Sequence, residues 1–251
     1  MNQKNLRLRV FAGPNGSGKS TITSVISQEL LGIYINPDDI EREIRENGHL
    51  DLRKYQIEVS QQEILHFFQN SSLLKSSHLL GEVSLLDFKE DSLIFRQTEN
   101  HDYLAAVTAD FIRHQLIKSR KSFSFETVMS HPDKIQLLSQ AKAVGYRTYL
   151  YYVATEDPQI NISRVKQRVK MGGHPVPEDR IISRYYRSLD LLHTAVQNTN
   201  RSYIFDNSSH EHCWLAEITN GQMLEMKVNQ IPQWFKTALW DKFNVSADLP
   251  A

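Results

Sequence analysis

Apolar and polar positions alternate from Leu6 to Ala12, the register of a strand, and a glycine-rich stretch then breaks the pattern. From Lys19 the apolar residues fall at Ile22, Val25, Ile26 and Leu30, a spacing that predicts one helix closed by Gly32. Ile33 to Asn36 reads as a second strand, and Pro37 opens a helix with Asp38, Asp39, Glu41 and Glu43 near its start, where the helix dipole favours acids. Residues 50–120 are less regular: Tyr55, Val59, Ile64, Phe67 and Phe68 predict a helix, Leu79 to Phe95 a loop with a short hairpin, and Tyr103 to Ile117 an amphipathic helix. The strand and helix rhythm resumes with Ser122 to Phe125, a helix from Pro132 to Val144, and a strand from Tyr146 to Val153. Two helices follow, about 158–171 and 178–198, parted by two glycines and two prolines within Gly172 to Pro177. Ser202 to Asp206 is the fifth strand, and Asn220-Gly221 between two strand-like runs marks a hairpin over Leu215 to Met226.

Strands alternating with helices predict an α/β fold with a mostly parallel five-stranded sheet covered on both faces, a three-layer α/β/α arrangement. We expect one domain over 1–251, with an insertion at about 50–100, a helical lid at about 158–190, and a hairpin plus helix at about 213–251. A chain of 251 residues, 40% hydrophobic, fills such a core without a second domain. Twenty-nine basic residues balance 29 acidic ones, so the field of a dedicated nucleic-acid binder is absent and nucleic acid is not an expected partner. The single cysteine, Cys213, forms no internal disulfide, and no run of about 18 apolar residues appears. These features, with a start that leads straight into a strand, predict a cytoplasmic protein without a membrane span.

Chemistry concentrates where parallel strands end. Gly13, Pro14, Asn15, Gly16, Ser17, Gly18, Lys19, Ser20 and Thr21 complete the pattern G-x-x-x-x-G-K-S, and a strand before it and a helix after it supply the required context. Inward-pointing amides can hold phosphate oxygens, Lys19 suits the β and γ phosphates, and Ser20 suits a magnesium ion. The motif therefore predicts an ATP site, with GTP as the alternative nucleotide, and Mg2+ as cofactor. Asp38 or Asp39, after the second strand, would accept the proton of an acceptor hydroxyl; both acids also serve the first helical turn. Glu126 and Thr127, after the third strand, would bind the acceptor, or Glu126 would hold a water on magnesium. A basic series follows in Arg164, Lys166, Arg168, Lys170, His174, Arg180, Arg184 and Arg187, of which Arg164, Arg168 and His174 are the chosen lid residues. A solvated basic face explains part of that series equally well. Asn207, after the fifth strand, would contact the nucleotide base or form an Asx turn.

Together, AGPNGSGKST at 12–21, NPDDI at 36–40, SFSFETVMS at 122–130, GYRTYLYYVATEDP at 145–158, RVKQRVKMGGHPVPEDRIISRYYRSL at 164–189 and YIFDNS at 203–208 resemble the zeta-toxin-like P-loop kinases. The resemblance implies a kinase fold with a parallel sheet and a lid, and transfer from ATP or GTP to a small-molecule hydroxyl, with a UDP-N-acetylamino sugar as the model acceptor. It also implies an antitoxin protein as partner. By matching, Lys19 takes the phosphate-binding role, Asp38 or Asp39 the proton-accepting role, Glu126 an acceptor-site role, and Arg164 or Arg168 a lid role. The alternative function is an ATP-binding switch or interaction protein with weak ATPase activity.

Overall fold

The computed structural model describes residues 6–96, 98–173, 175–209 and 211–243. Along the chain the elements are β1 (Arg7–Ala12), α1 (Lys19–Ser24), α2 (Gln28–Leu31), β2 (Ile33–Ile35), α3 (Pro37–Asn47), β3 (His49–Asp51), α4 (Gln61–Gln69), α5 (Ser72–Ser76), β4 (Leu86–Lys89) and β5 (Ser92–Phe95). They continue with α6 (His101–Lys118), β6 (Phe123–Thr127), α7 (Asp133–Ala143), β7 (Arg147–Ala154), α8 (Pro158–Lys170), α9 (Glu178–Gln197), β8 (Arg201–Asp206), β9 (Cys213–Thr219), β10 (Met223–Met226) and α10 (Gln233–Phe235). The last passes into a π-helical turn, Lys236–Trp240. The chain divides into two compact units, one made of the residues up to Gly32 and from Ser124 onward, the other of Ile33–Phe123.

In the first unit the strand order is β10-β9-β8-β7-β1-β6. β1 pairs parallel with β7, which pairs parallel with β8. The core forms because the strands alternate: Leu8 and Val10 of β1, Leu150 and Tyr152 of β7 and Ile204 of β8 are all fully buried. Each such apolar side chain contributes roughly 1.5–3 kcal/mol through burial. The intervening positions carry a row of rings, Phe11 on Tyr151 and Tyr151 on Tyr203, each pair stacked at 5.0 Å. The expected hairpin forms through the three-residue loop Asn220 to Gln222, with Asn220 and Gly221 both left-handed, a conformation that asparagine and glycine adopt most readily. It is not an appendage: β9 pairs antiparallel with β8, so the hairpin lengthens the sheet. Beyond it, the Trp234 indole donates to Asp206 Oδ1 at 2.7 Å and pins α10 to the end of β8.

The second unit holds α3 to α6 and a three-stranded antiparallel sheet of order β3-β5-β4. Ile40 and Ile44 of α3, Ile64 and Phe68 of α4 and Leu104, Phe111 and Leu116 of α6 make its interior. The expected hairpin within 79–95 is present as β4 and β5, and the expected 103–117 helix as α6. The helix read from Tyr55 to Phe68 is shorter: Tyr55 closes a 3-10 turn, and α4 begins only after Ser60, whose side chain and that of Glu63 form a reciprocal capping box.

One element departs clearly from its sequence pattern. The single helix expected from Lys19 to Gly32 is two short helices, α1 and α2, and Val25 and Leu30 stand exposed at 69% and 44%. The run Ile22-Thr23-Ser24-Val25-Ile26-Ser27 is β-branched or serine throughout, the residues that lose most in a helix interior. Ser24 Oγ donates back to Thr21 O at 2.8 Å, the bonds at Val25 and Ile26 tighten to i−3 carbonyls, and the extended Ser27 restarts the helix.

Candidate functional site

β1 delivers the chain to the loop Gly13–Gly18, and α1 starts at Lys19 behind a left-handed Gly18. The loop is gripped from three sides. A Cβ on Gly13 would lie 2.0 Å from Val153 O at the end of β7, and one on Gly16 would lie 2.6 Å from Asn161 O in α8. A Cβ on Gly18 would lie 2.1 Å from Asn207 Nδ2, beyond β8. Gly13 and Gly16 meet backbone that cannot withdraw and Gly18 meets a side-chain tip, while all three hold positive φ, so the glycines serve the tightness of the cradle as well as its turn.

The side chains around the cradle suit an anion. Lys19 Nζ donates to Gly13 O and Pro14 O, both at 3.0 Å, which holds the ammonium over the loop. Ser17 is fully buried and its Oγ has no hydrogen-bond partner among the described residues, nor has the buried Asn15 Oδ1. An orphaned buried hydroxyl is costly, and a phosphate oxygen would satisfy it.

Glu126, 8% exposed at the end of β6, turns to the head of α1. Its Oε1 accepts from Thr23 Oγ1 at 3.3 Å and from Ser20 Oγ at 3.5 Å. Ser20 and Glu126 bring two oxygens together that could hold a hard divalent cation, which keeps most of its waters and takes one or two protein oxygens. Among the described residues no group of three or more His, Cys, Asp or Glu forms a metal cage. Thr127 spends its Oγ1 on the amide of Met129 at 3.0 Å, beside a buried Met129 held at φ 52. A left-handed, buried methionine at a strand end is a strained position of the kind that gathers at ligand sites.

The lid candidates separate. Arg164 of α8 donates through Nη1 to Asn207 O at 2.7 Å and through Nη2 to Ser209 O at 3.2 Å, so its guanidinium braces the turn after β8. Asn207 in turn donates from Nδ2 to Ser17 O at 2.8 Å, and its amide continues the β7 ladder by donating to Ala154 O. Arg168 sits one turn further along α8, half-buried, where its carbonyl takes the amides of Met171 and Gly173. His174 lies outside the described residues, as do residues 244–251 of the expected C-terminal segment. Lys166 pairs with Glu178 at 2.7 Å, which joins α8 to α9 around Ile162, Val165 and Ile181. Asp38 and Asp39 belong to the second unit, in the first turn of α3; Asn36 caps that turn by accepting from the Asp38 amide, and Asp39 pairs with Arg42.

Three participants escaped the sequence pattern. Asn161, fully buried, donates from Nδ2 to Asn15 O at 2.6 Å and accepts from Thr155 Oγ1 through Oδ1. Tyr185 of α9 donates its hydroxyl to Thr155 O at 2.6 Å, and burial pushes that phenol up from its usual range, so it stays a donor. The available signal was Asn161 itself, a polar residue four positions before Val165 and next to Ile162 on the apolar side of an amphipathic helix.

Comparison with known proteins bears on the fold and the family likeness. Residues 101–218 match the family model described as Zeta toxin. An uncharacterized protein of Haemophilus influenzae (strain ATCC 51907 / DSM 11121 / KW20 / Rd) is 27% identical over 175 residues, which cover 70% of this chain and 89% of that protein. Among solved structures, the native AvrRxo1-ORF1:-ORF2 complex aligns with a TM-score of 0.57 at 14% identity, covering 94% of this chain and 64% of that one. The same complex with ATP aligns with a TM-score of 0.54 at 13% identity, covering 100% of this chain and 66% of that one. The chain thus spans just under two thirds of the length of these structures. At such identity they establish the fold, an α/β fold with a mostly parallel central sheet, while the family match bears out the zeta-toxin resemblance read from the motifs.

Proposed function

We propose that this zeta-toxin-like chain is a P-loop phosphotransferase that moves the γ-phosphoryl group of ATP to a hydroxyl of a small molecule. The observation that carries the reading is the Glu126 carboxylate set against Ser20 and Thr23, directly behind a cradle with an orphaned Ser17 hydroxyl. A bare phosphate-binding turn needs no buried acid there; a nucleotide with a divalent cation does. The ATP present in the AvrRxo1-ORF1:-ORF2 structure and the Zeta toxin match support the same reading.

In this scheme the loop amides and Ser17 Oγ hold the phosphate oxygens, and Lys19 exchanges its two carbonyl partners for the β and γ oxygens. Ser20 and Glu126 would hold Mg2+, which when bound supplies charge neutralisation at the triphosphate. Asp38 accepts the proton of the acceptor hydroxyl, with Asp39 held by Arg42. Arg168 carries positive charge to the transferred group, whereas Arg164 maintains the wall of the site. Thr127 and His174 belong to the acceptor side, and a UDP-N-acetylamino sugar is the acceptor class to test first. GTP is the alternative donor. AvrRxo1-ORF1 was solved with ORF2, and a protein partner extends to this chain from that likeness, of the antitoxin type that the zeta-toxin resemblance implies. No helix among the described residues is long and apolar enough to cross a membrane, and a cytoplasmic setting fits a reaction that draws on ATP.

The test is γ-labelled ATP with UDP-N-acetylglucosamine and with a fractionated metabolite extract. Label should enter a small molecule with the wild-type protein and be lost in Lys19→Ala and Asp38→Asn. Tight ATP binding with no labelled acceptor in any fraction would instead favour a nucleotide-dependent switch.

A further inference from the structure

The phosphate loop is held by a side-chain clasp from α8, a helix that begins more than a hundred residues later in the sequence. Asn161 is the centre of that clasp. Its amide donates to Asn15 O at 2.6 Å, its own carbonyl oxygen lies against Gly16, and its side-chain oxygen takes the Thr155 hydroxyl. One turn on, Arg164 binds Asn207 O and Ser209 O, and Asn207 binds Ser17 O at 2.8 Å. The carbonyls of Asn15 and Ser17 are thereby turned outward, toward α8 and Asn207. Successive peptide groups in such a loop are coupled: a carbonyl fixed outward leaves the following N–H facing the opposite way, toward the cradle.

We propose that Asn161 is a positioning residue for the triphosphate, setting the direction of the amides of Gly16 and its neighbours before any ligand arrives. This rests on the phosphotransferase reading, but it assigns a role that reading does not contain. It also divides α8 by function: the turn bearing Asn161 and Arg164 is the fixed base of the lid, and Arg168 stands beyond it. Pre-set amides cost no reorganisation on binding, so their loss should appear in affinity for the phosphates and not for the rest of the nucleotide.

The experiment uses the full chain and two variants. Asn161→Ala removes donor and acceptor together. Asn161→Asp keeps the acceptor for Thr155 and replaces the donor by a carboxylate oxygen, which regains a donor only when protonated. The probes are inorganic tripolyphosphate and adenosine, bound to protein shown to be folded by near-UV circular dichroism. Both variants should bind tripolyphosphate about 10- to 100-fold more weakly than wild type at neutral pH, with adenosine affinity unchanged. Relative to wild type at the same pH, Asn161→Asp should recover as the solution is acidified through its burial-raised pKa, and Asn161→Ala should not. Hydrogen exchange on the unliganded proteins supplies the independent arm: amides of residues 15–18 should exchange faster in Asn161→Ala. Equal tripolyphosphate affinity in wild type and both variants would overturn the proposal, as would equal exchange of those amides. A wild-type protein that binds neither tripolyphosphate nor ATP would instead overturn the phosphotransferase reading, while the exchange arm would still decide whether Asn161 sets the loop.

Discussion

Gly13 meets a backbone carbonyl, Val153 O, with no flexible atom that could withdraw, while Gly18 meets the tip of the Asn207 side chain. Both are left-handed by φ, 143 and 97, but only Gly13 faces an immovable neighbour. Gly13→Ala should therefore cost at least about 1–3 kcal/mol of stability and abolish ATP binding, whereas Gly18→Ala should displace Asn207 and weaken binding first. Urea midpoints alongside fluorescent-nucleotide titrations separate the two. The two lid arginines divide in the same way. Arg164→Ala strands two carbonyls, and should lower stability by about 1–3 kcal/mol and weaken nucleotide binding. Arg168→Ala should reduce kcat by roughly 10²–10³. Thermal denaturation of Arg164→Ala and steady-state kinetics of Arg168→Ala check the two, and an unchanged kcat in the latter would count against its role.

At the scale of elements, α4 shows how a short helix is fixed by charge and capping. Glu63 closes the capping box with Ser60 and pairs with Lys118 of α6 at 2.7 Å; first that bond, then the bonds to Ser60, hold its carboxyl down at about 2. A carboxylate depressed in the folded state adds stability above its ordinary value of 4.5, and that stability is lost as pH falls toward 2. The second unit should therefore loosen over this window, modestly, because the pair is solvent-exposed and salt-screened. Hydrogen exchange of α4 amides from pH 5 to 2.5 should show the change in wild type and lose most of it in Glu63→Gln. The broken helix after the phosphate loop teaches the complementary lesson. Its apolar spacing was helical, but six consecutive β-branched or serine residues outweighed the spacing, and periodicity does not register that competition.

At the scale of the whole molecule, the residues to be tested fall in each compact unit by itself: Lys19, Glu126 and Arg168 lie in the first and Asp38 in the second. Asp38→Asn should lower kcat by about 10²–10⁴ while leaving ATP affinity in place, since no phosphate contact is assigned to it. Glu126→Gln should raise the Mg2+ concentration needed for half-maximal rate, and chelation with EDTA should stop turnover in both proteins; a magnesium titration of initial rates checks each. If Glu126→Gln shifts only the KM of the acceptor, Glu126 belongs to the acceptor side and not to the metal.

The sequence by itself determined the local features of this protein. The phosphate loop, Pro37 opening α3, the Asn220-Gly221 hairpin and the alternation of strands with helices each depend on residues adjacent in the chain, through φ preference, capping or periodicity. Tertiary structure alone decided which partners the polar side chains meet. Arg164, expected from the basic series as a lid residue, and Asn207, which follows the fifth strand, each bind a carbonyl brought beside them by a different part of the chain. Asn161 carried no expectation from the sequence, and its partner Asn15 lies 146 residues away. A hydrogen bond across such a distance leaves no periodic trace, because its geometry exists only once β1, β7 and β8 have been laid side by side.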